Sequence, residues 1–175
     1  MEKLYFSEQS LRIRSMRPTD AQIIFDTYLS YGWHPSLETY ENYFREQEAH
    51  KRLVFIAELN DGVCGLCTLV LNPTEGPWAH MGWPEIVDLS VFSHVQKQGI
   101  GNKLLDVAEQ EAAKLADTVY LAVGVHSGYG AAQRIYAKRG YLPDGSGVWY
   151  QGKPLEQYAP CRNDDDLLLF LSKQL

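Results

Sequence analysis

The chain has 175 residues, 45% of them hydrophobic and 22% charged. That is the composition of a globular protein with one substantial core, and it excludes an intrinsically disordered chain. Sixteen Lys plus Arg against 22 Asp plus Glu give a net charge of −6, unlike the basic balance of a phosphate-backbone binder, so no nucleic-acid partner is expected.

The start, Met1-Glu2-Lys3, has none of the apolar stretch of a secretory leader. Leu11 to Met16 alternates Leu, Ile and Met with Arg, Arg and Ser, which predicts a half-buried strand. Pro18-Thr19-Asp20 begins a helix with apolar residues at Ile23, Ile24, Tyr28 and Leu29. Ser36 is placed to cap a second helix, with Glu38 and Thr39 early and Tyr40, Tyr43 and Phe44 on one face. Arg52 to Leu59 and Val63 to Leu71 predict strands joined by the hairpin signal Asn60-Asp61-Gly62. Cys64 and Cys67 fall on the second of these, three positions apart and so on opposite faces. No second cysteine pair completes a zinc site, and no metal is expected. With Cys161 the cysteines number three, which speaks against a disulfide framework and for a reducing, cytoplasmic home.

Prolines and glycines break the pattern over residues 72–84, a segment that also holds Trp78, His80, Met81 and Trp83. Two readings stand: a loop folded back on the core, or a substrate wall. Glu85 to Val91 is again a strand. Gly99 to Ala116 predicts a long helix with Ile100, Leu104, Leu105, Ala108, Ala112 and Leu115 on one stripe. Thr118 to Val125 reads as a buried strand, and a shorter helix runs from Tyr129 or Gly130 to Arg139, stopped by Gly140. Tyr141 to Tyr150 and Asp166 to Ser172 are the last strands. The longest apolar runs, such as Leu53 to Ala57 and Leu167 to Leu171, reach about five residues, whereas a membrane span needs about 20, so no membrane association is expected. The order β-α-α-β-β-β-α-β-α-β-β implies an α/β chain with a mixed, partly parallel sheet, helices on both faces, and a single domain over residues 1–175.

The strongest local signal is Gln96-Lys97-Gln98-Gly99-Ile100-Gly101-Asn102, which follows a strand and opens an amphipathic helix. Glycines there let the backbone approach a ligand, and the free N–H groups of a helix start suit a phosphate or pyrophosphate. The third glycine of a dinucleotide fingerprint is missing, since residue 104 is Leu, and so is the Gly-Lys-Ser/Thr of a P-loop. By itself the segment leaves open a glycine-loosened turn with Lys97 and Lys103 solvated.

Gln/Arg-x-x-Gly-x-Gly/Ala between a strand and a helix resembles the acetyl-CoA pyrophosphate motif of the GCN5-related N-acetyltransferase (GNAT) family, and residues 96–101 match it. Ala132-Gln133-Arg134-Ile135-Tyr136-Ala137-Lys138-Arg139-Gly140-Tyr141 resembles that family's A-x-x-L-Y-x-K-x-G-F signature, with Ile135 and Tyr141 replacing Leu and Phe. The element order is also similar, over roughly residues 11–172. The resemblance implies a GNAT-like acyl-CoA N-acyltransferase fold with a mixed, twisted sheet of about six or seven strands and about four helices. It implies an N-acetyltransferase that uses acetyl-CoA as co-substrate, without metal. The acetyl group would pass to a primary amine of a small molecule or peptide by direct attack in a ternary complex. Several members dimerise, which allows a homodimer here.

Carried onto this sequence, the family pattern implies that the backbone of Leu89, Ser90 and Val91 bonds the pantetheine arm. The amides of Gln96, Lys97, Gln98, Gly99, Ile100, Gly101 and Asn102 would hold the pyrophosphate. Tyr136 matches the tyrosine that protonates the departing thiolate, a transfer open to a phenol with a reference pKa near 10 against about 8.5 for a thiol. Glu85 matches by spacing the glutamate that histone-acetylating members use as base. Asp88 is the second choice, and His80, His94 and His126 are the remaining ones. Strict alternation would put Glu85 and Asp88 on opposite faces, but the family often carries a bulge in this strand. One departure stands out: Tyr129 occupies the place of a frequent Asn. Acceptor contacts are expected from Tyr28, Tyr31, Trp33, His34, Tyr40 and Tyr43, from Trp78, His80 and Trp83, and from Trp149, Tyr150, Tyr158 and Asp164 to Asp166. Ordinary aromatic packing and a solvated acidic turn, blunting a strand edge, explain the same residues. The rival reading is a non-catalytic acyl-CoA-binding or sensing module.

Overall fold

In the computed structural model, which describes residues 2–175, the chain groups into two units. One holds residues 2–71 with Asp88–Glu111, the other Asn72–Val87 with Ala112–Leu175.

The first unit carries β1 (Leu4–Glu8), β2 (Leu11–Ser15), α1 (Asp20–Ser30), α2 (Leu37–Glu48), β3 (Arg52–Leu59) and β4 (Gly62–Val70). The second half of β5 (Glu85–Val91), a single 3₁₀ turn (Ser93–Val95) and α3 (Ile100–Ala112) complete it. Its strand order is β1-β2-β3-β4-β5. The β3–β4 hairpin pairs Leu59 with Gly62, and both residues between, Asn60 and Asp61, take positive φ (51° and 65°), as a two-residue primed turn requires. The core under this sheet gathers Met16, Ala21, Ile24, Tyr28, Tyr43, Val54, Ile56, Leu66 and Phe92. A Cβ on Gly65 of β4 would lie 2.7 Å from the Ser90 carbonyl oxygen, so a glycine is what lets these two backbones meet.

Strand β2 departs from the half-buried reading. Arg14 is 2% exposed, because its guanidinium is matched by two buried carboxylates, Asp20 (2.7 Å) and Glu58 (2.6 Å). Charges are taken inside only when paired in this way. Ser36 precedes α2 as expected, yet its side chain makes no cap hydrogen bond.

The second unit carries the first half of β5, then β6 (Thr118–Gly124), α4 (Gly130–Lys138), β7 (Leu142–Tyr150), β8 (Lys153–Pro154) and β9 (Leu167–Gln174). Its order is β5-β6-β9-β7-β8, with β5 and β6 parallel (Glu85 opposite Tyr120, Ile86 opposite Leu121) and the other pairs antiparallel. Gly140 ends α4 at φ 87°.

Nine strands are formed among the described residues where six or seven were expected. The additions are β1, whose Tyr5 packs edge-on against Phe55 at 4.9 Å, and the two-residue β8. Helix α3 stops at Ala112, four residues early: amides of Leu115 and Ala116 turn back to the Ala112 carbonyl, and Leu115 is 54% exposed rather than on the buried stripe. Asp164 to Asp166 do not blunt an edge, because the strand they precede, β9, lies between β6 and β7. Among the described residues, no helix is long and apolar enough to cross a membrane.

Candidate active site

In the first unit, β5 loses strand regularity at Asp88, whose φ of 55° is left-handed. This is the interruption of alternation expected of a bulged strand. Leu89, Ser90 and Val91 follow directly, half-buried. The Tyr28 hydroxyl lies 2.6 Å from Ser90 Oγ and donates to it. Gln96, the first residue of the glycine turn, uses its side-chain amide to bond the Val91 carbonyl at 3.0 Å. It therefore ties the turn back to the strand end.

Within the turn, Lys97 and Gly99 both take positive φ (64° and 82°). Alternation of left- and right-handed residues points successive N–H groups the same way and makes a concave anion seat. A Cβ on Gly99 would meet nothing within 4 Å, so the backbone presents an open face there. The first amide-to-carbonyl bond of α3 runs from Lys103 to Gly99 (3.1 Å). The N–H groups of the first turn and the positive end of the helix dipole therefore fall on residues 99–102. Ile100, Leu104 and Leu105, each 2% exposed or less, anchor the helix. The residues present thus fit a pyrophosphate. Lys103 is not simply solvated: its ammonium lies 5.0 Å from the Phe6 ring centre.

The aromatic residues of α1, α2 and their link form one cluster. Tyr28 stacks on Trp33 (5.0 Å, 18°), meets Phe92 edge-on at 5.6 Å and touches Tyr40 at 6.0 Å. The Tyr43 phenol donates to Asp88. Tyr31 bonds Nδ1 of His94 at 3.0 Å, which engages that histidine. His34 is exposed.

In the second unit, Glu85 stands opposite Tyr120, whose phenol donates to the Glu75 carbonyl at 3.3 Å. Burial first, and then the Glu85 charge, push that phenol above its ordinary range, so it stays a neutral donor. Tyr136 on α4 is 6% exposed and packs edge-on against Tyr141 at 5.7 Å. Gln133, one turn earlier, donates to the Gly124 carbonyl at 2.8 Å and pins α4 to the end of β6. His126 accepts from the Gly128 amide through Nδ1 (3.0 Å) and faces Asp165 through Nε2 (3.0 Å). Both ring nitrogens are thus committed to holding the loop. Tyr129 also donates to Asp165 (2.9 Å), and its ring fills the space a Cβ on Gly124 would need. Hydrogen bonds from His126 and Tyr129 hold the Asp165 carboxyl below the usual range. The residue standing in place of the family's Asn is therefore a loop brace.

Of the two readings for residues 72–84, the packing shows a loop folded on its own unit's core. Trp78 packs on Trp83 (5.9 Å) and Tyr120 (5.3 Å), and Gly76 lies under the Phe170 ring. His80 is exposed. Trp149 packs edge-on against Phe170 at 5.1 Å, whereas Tyr158 is 96% exposed. Sequence reasoning missed Tyr120 as partner of Glu85 and Asp165 as partner of His126 and Tyr129, contacts carried by strand register and by separations of 36 and 39 residues. Burial pushes the Cys64 thiol up to about 11 and raises that of Cys67 as well, so neither is a ready nucleophile. No metal-binding cluster exists among the described residues.

The model of the acetyltransferase (GNAT) family matches residues 19–141, more than half of the chain. No curated protein matches in sequence. Among solved structures, an apo crystal form of RimL, a ribosomal L7/L12 alpha-N-protein acetyltransferase, is 12% identical, covers 100% of this chain and 96% of its own, and superposes with a TM-score of 0.74. The ribosomal-protein-alanine N-acetyltransferase of Brucella melitensis is 19% identical over 93% of this chain and 99% of that one (TM-score 0.67). YncA of Salmonella typhimurium, solved with acetyl-CoA, is 18% identical over 95% and 94% (TM-score 0.66).

Proposed function

The chain belongs to the acetyltransferase (GNAT) family and is an acetyl-CoA-dependent N-acetyltransferase, and from that premise we propose which of its residues do the work. The observation that carries the assignment is the turn at residues 96–102: an open, left-handed glycine at the start of a well-anchored helix. Its amides, from Gln96 to Asn102, hold the pyrophosphate, and the backbone of Leu89, Ser90 and Val91 holds the pantetheine arm as a neighbouring strand would. When bound, acetyl-CoA supplies an acetyl thioester.

Glu85 takes the proton from the acceptor's ammonium group, because an ammonium has no lone pair with which to attack. Tyr120, opposite Glu85 on the neighbouring strand, lies close enough for the carboxylate's charge to help keep its phenol neutral. The freed amine forms the new C–N bond while the C–S bond breaks. Tyr136 gives its phenolic proton to the departing sulfur, and the surplus proton left on the new amide nitrogen neutralises the phenolate. No step needs a covalent enzyme intermediate, which agrees with the raised Cys64 and Cys67 thiols.

The acceptor is a primary amine of a small molecule or peptide. Two structurally similar proteins are named for ribosomal-protein substrates, so a peptide N-terminus belongs in the test. The purified protein is incubated with acetyl-CoA and a panel of mono- and diamines and peptides, and free thiol is followed, with acetyl-CoA binding measured by calorimetry. Amine-dependent thiol release supports the reading. Binding without release on the whole panel favours an acyl-CoA-binding module instead, and failure to bind acetyl-CoA overturns the assignment of the turn.

A further inference from the structure

Asp88 is an exposed carboxylate set against the aromatic cluster of the first unit. Its backbone is left-handed inside a strand (φ 55°), a conformation that costs energy in a residue other than glycine and recurs at functional sites. Tyr43 donates to it, and Tyr43 is itself fixed: 8% exposed, with the Arg52 guanidinium 4.4 Å from its ring centre. The Asp88 charge is felt at three phenols, those of Tyr28, Tyr40 and Tyr43. In each, burial acts first and that charge adds to it, so all three remain neutral. Trp33, 55% exposed, continues the aromatic surface outward over Tyr28. Tyr28 and Tyr43 are buried under Trp33 and Arg52, so the faces left to a ligand are those of exposed Trp33 and half-buried Tyr40. With the exposed Asp88 carboxylate they suit an ammonium group, through charge pairing and cation–π attraction together.

We infer that this surface, the Asp88 carboxylate beside Tyr40 and Trp33, seats a second cationic nitrogen of the acceptor, so that the substrate is a small diamine rather than a monoamine. The inference rests on the transferase reading above. The reacting nitrogen must be neutral to attack, whereas a fixed carboxylate stabilises the charged form of the nitrogen beside it. Asp88 therefore suits the amine that stays charged. It directly precedes Leu89 to Val91, which places the anchor next to the proposed donor strand.

Asp88→Asn isolates the charge, because Asn tolerates left-handed backbone as well as Asp does. Four-carbon 1,4-diaminobutane and butylamine are compared by calorimetry in the presence of CoA and by thiol release with acetyl-CoA. Wild type is expected to bind the diamine at least tenfold more tightly than the monoamine and to show a KM lower by the same factor. In Asp88→Asn the preference disappears while the monoamine values hold. Tyr43→Phe, which removes the donor that orients Asp88, reduces the preference three- to tenfold. Equal binding of both amines by wild type, or an Asp88→Asn variant that keeps the preference, overturns the inference. Thiol release without any diamine preference sinks the inference and leaves the transferase standing. A diamine preference that Asp88→Asn abolishes, with no thiol release from any amine, sinks the transfer reading and leaves the ammonium seat standing.

Discussion

Replacing Tyr136 by Phe removes one hydroxyl and keeps the ring. The ring sits at the C-terminal end of α4, 6% exposed, edge-on to Tyr141 at 5.7 Å. Its own backbone carbonyl accepts from the amides of Arg139 and Tyr141, both at 3.1 Å, and those bonds are independent of the side chain. The fold should therefore lose at most about 1 kcal/mol, the net worth of one hydrogen bond, and melt within a few degrees of wild type. Catalysis should lose far more. A positioned general acid contributes about 10²- to 10⁴-fold, or about 3 to 5 kcal/mol of barrier at 1.36 kcal/mol per decade.

The two magnitudes separate the roles. Thiol release is measured at saturating acetyl-CoA and amine, with acetyl-CoA affinity from calorimetry and stability from thermal melting on the same preparations. The expected result is kcat down at least a hundredfold, affinity within twofold and a near-native melt. Tyr136→Ala is the control for packing: losing the ring should cost about 3 to 5 kcal/mol of stability. A Tyr136→Phe enzyme that keeps half of its kcat refutes the acid role and leaves Tyr136 as a core aromatic. A variant that loses acetyl-CoA binding in parallel with kcat refutes it too, because the residue would then be shaping the donor site.

Gly99→Ala forces a side chain into φ 82°, at a cost of about 1 to 2 kcal/mol, and puts a methyl on the open face of the turn; KM for acetyl-CoA should rise at least fivefold with kcat little changed, and an unaltered KM counts against the pyrophosphate seat. Gly124→Ala should cost about 1 to 3 kcal/mol in chemical denaturation by displacing the Tyr129 ring, with most of it recovered in the double variant with Tyr129→Ala; additive losses would disprove the clash. Burial pushes the Glu58 carboxyl up, but the hydrogen bond and charge of Arg14, with Arg17 and Arg12 behind it, outweigh this and hold it below its ordinary value of 4.5. A carboxyl depressed on folding contributes stability in full above that value and loses it as pH falls through the depressed one, so wild type should weaken in urea below about pH 4.5. Glu58→Gln should cost about 3 to 5 kcal/mol near neutrality and flatten that acid slope, whereas parallel slopes would exclude Glu58 as its source.

Most of the fold was legible because its signals are local. The apolar runs of β3, β4 and β6, the hairpin at Asn60 and Asp61, and the Gly140 stop each depend on residues within a few positions of one another. What escaped was non-local. Leu4-Tyr5-Phe6-Ser7-Glu8 has no clean alternation, and its strand exists because β2 offers a partner edge. Arg14 looked like a solvent-facing charge because Asp20 and Glu58, which take it inside, lie 6 and 44 residues away. Leu115 has the spacing of the α3 stripe, but the chain has already turned out of the helix. Of the proposed site, the glycine turn and Tyr136 are proposed from motif spacing, whereas the neighbours Tyr120 and Asp165 come from sheet register and loop closure, which the sequence does not display.

Strand β5 carries both the proposed base, Glu85, and the proposed cation anchor, Asp88. In a regular strand, residues three apart point to opposite faces, and choosing between Glu85 and Asp88 as base would reduce to asking which face the substrate occupies. Asp88 at φ 55° removes that rule. The partners decide instead. Glu85 is half-buried on a regular stretch of strand opposite Tyr120, whose phenol burial and the carboxylate's charge keep protonated, a setting that suits a base held at one place. Asp88 is exposed and accepts a hydrogen bond from the neutral Tyr43 phenol, a setting that suits an anchor for a cation that stays charged. Substituting each in turn should therefore give different kinetic signatures. Glu85→Gln should lower kcat, most steeply at low pH where the acceptor is almost wholly ammonium, and leave the diamine preference intact. Asp88→Asn should raise KM for the diamine with kcat nearly unchanged. If the two signatures are exchanged, Asp88 is the base and Glu85 a structural partner of Tyr120. The bulge would then serve to turn Asp88 toward the reacting nitrogen instead of toward a second one.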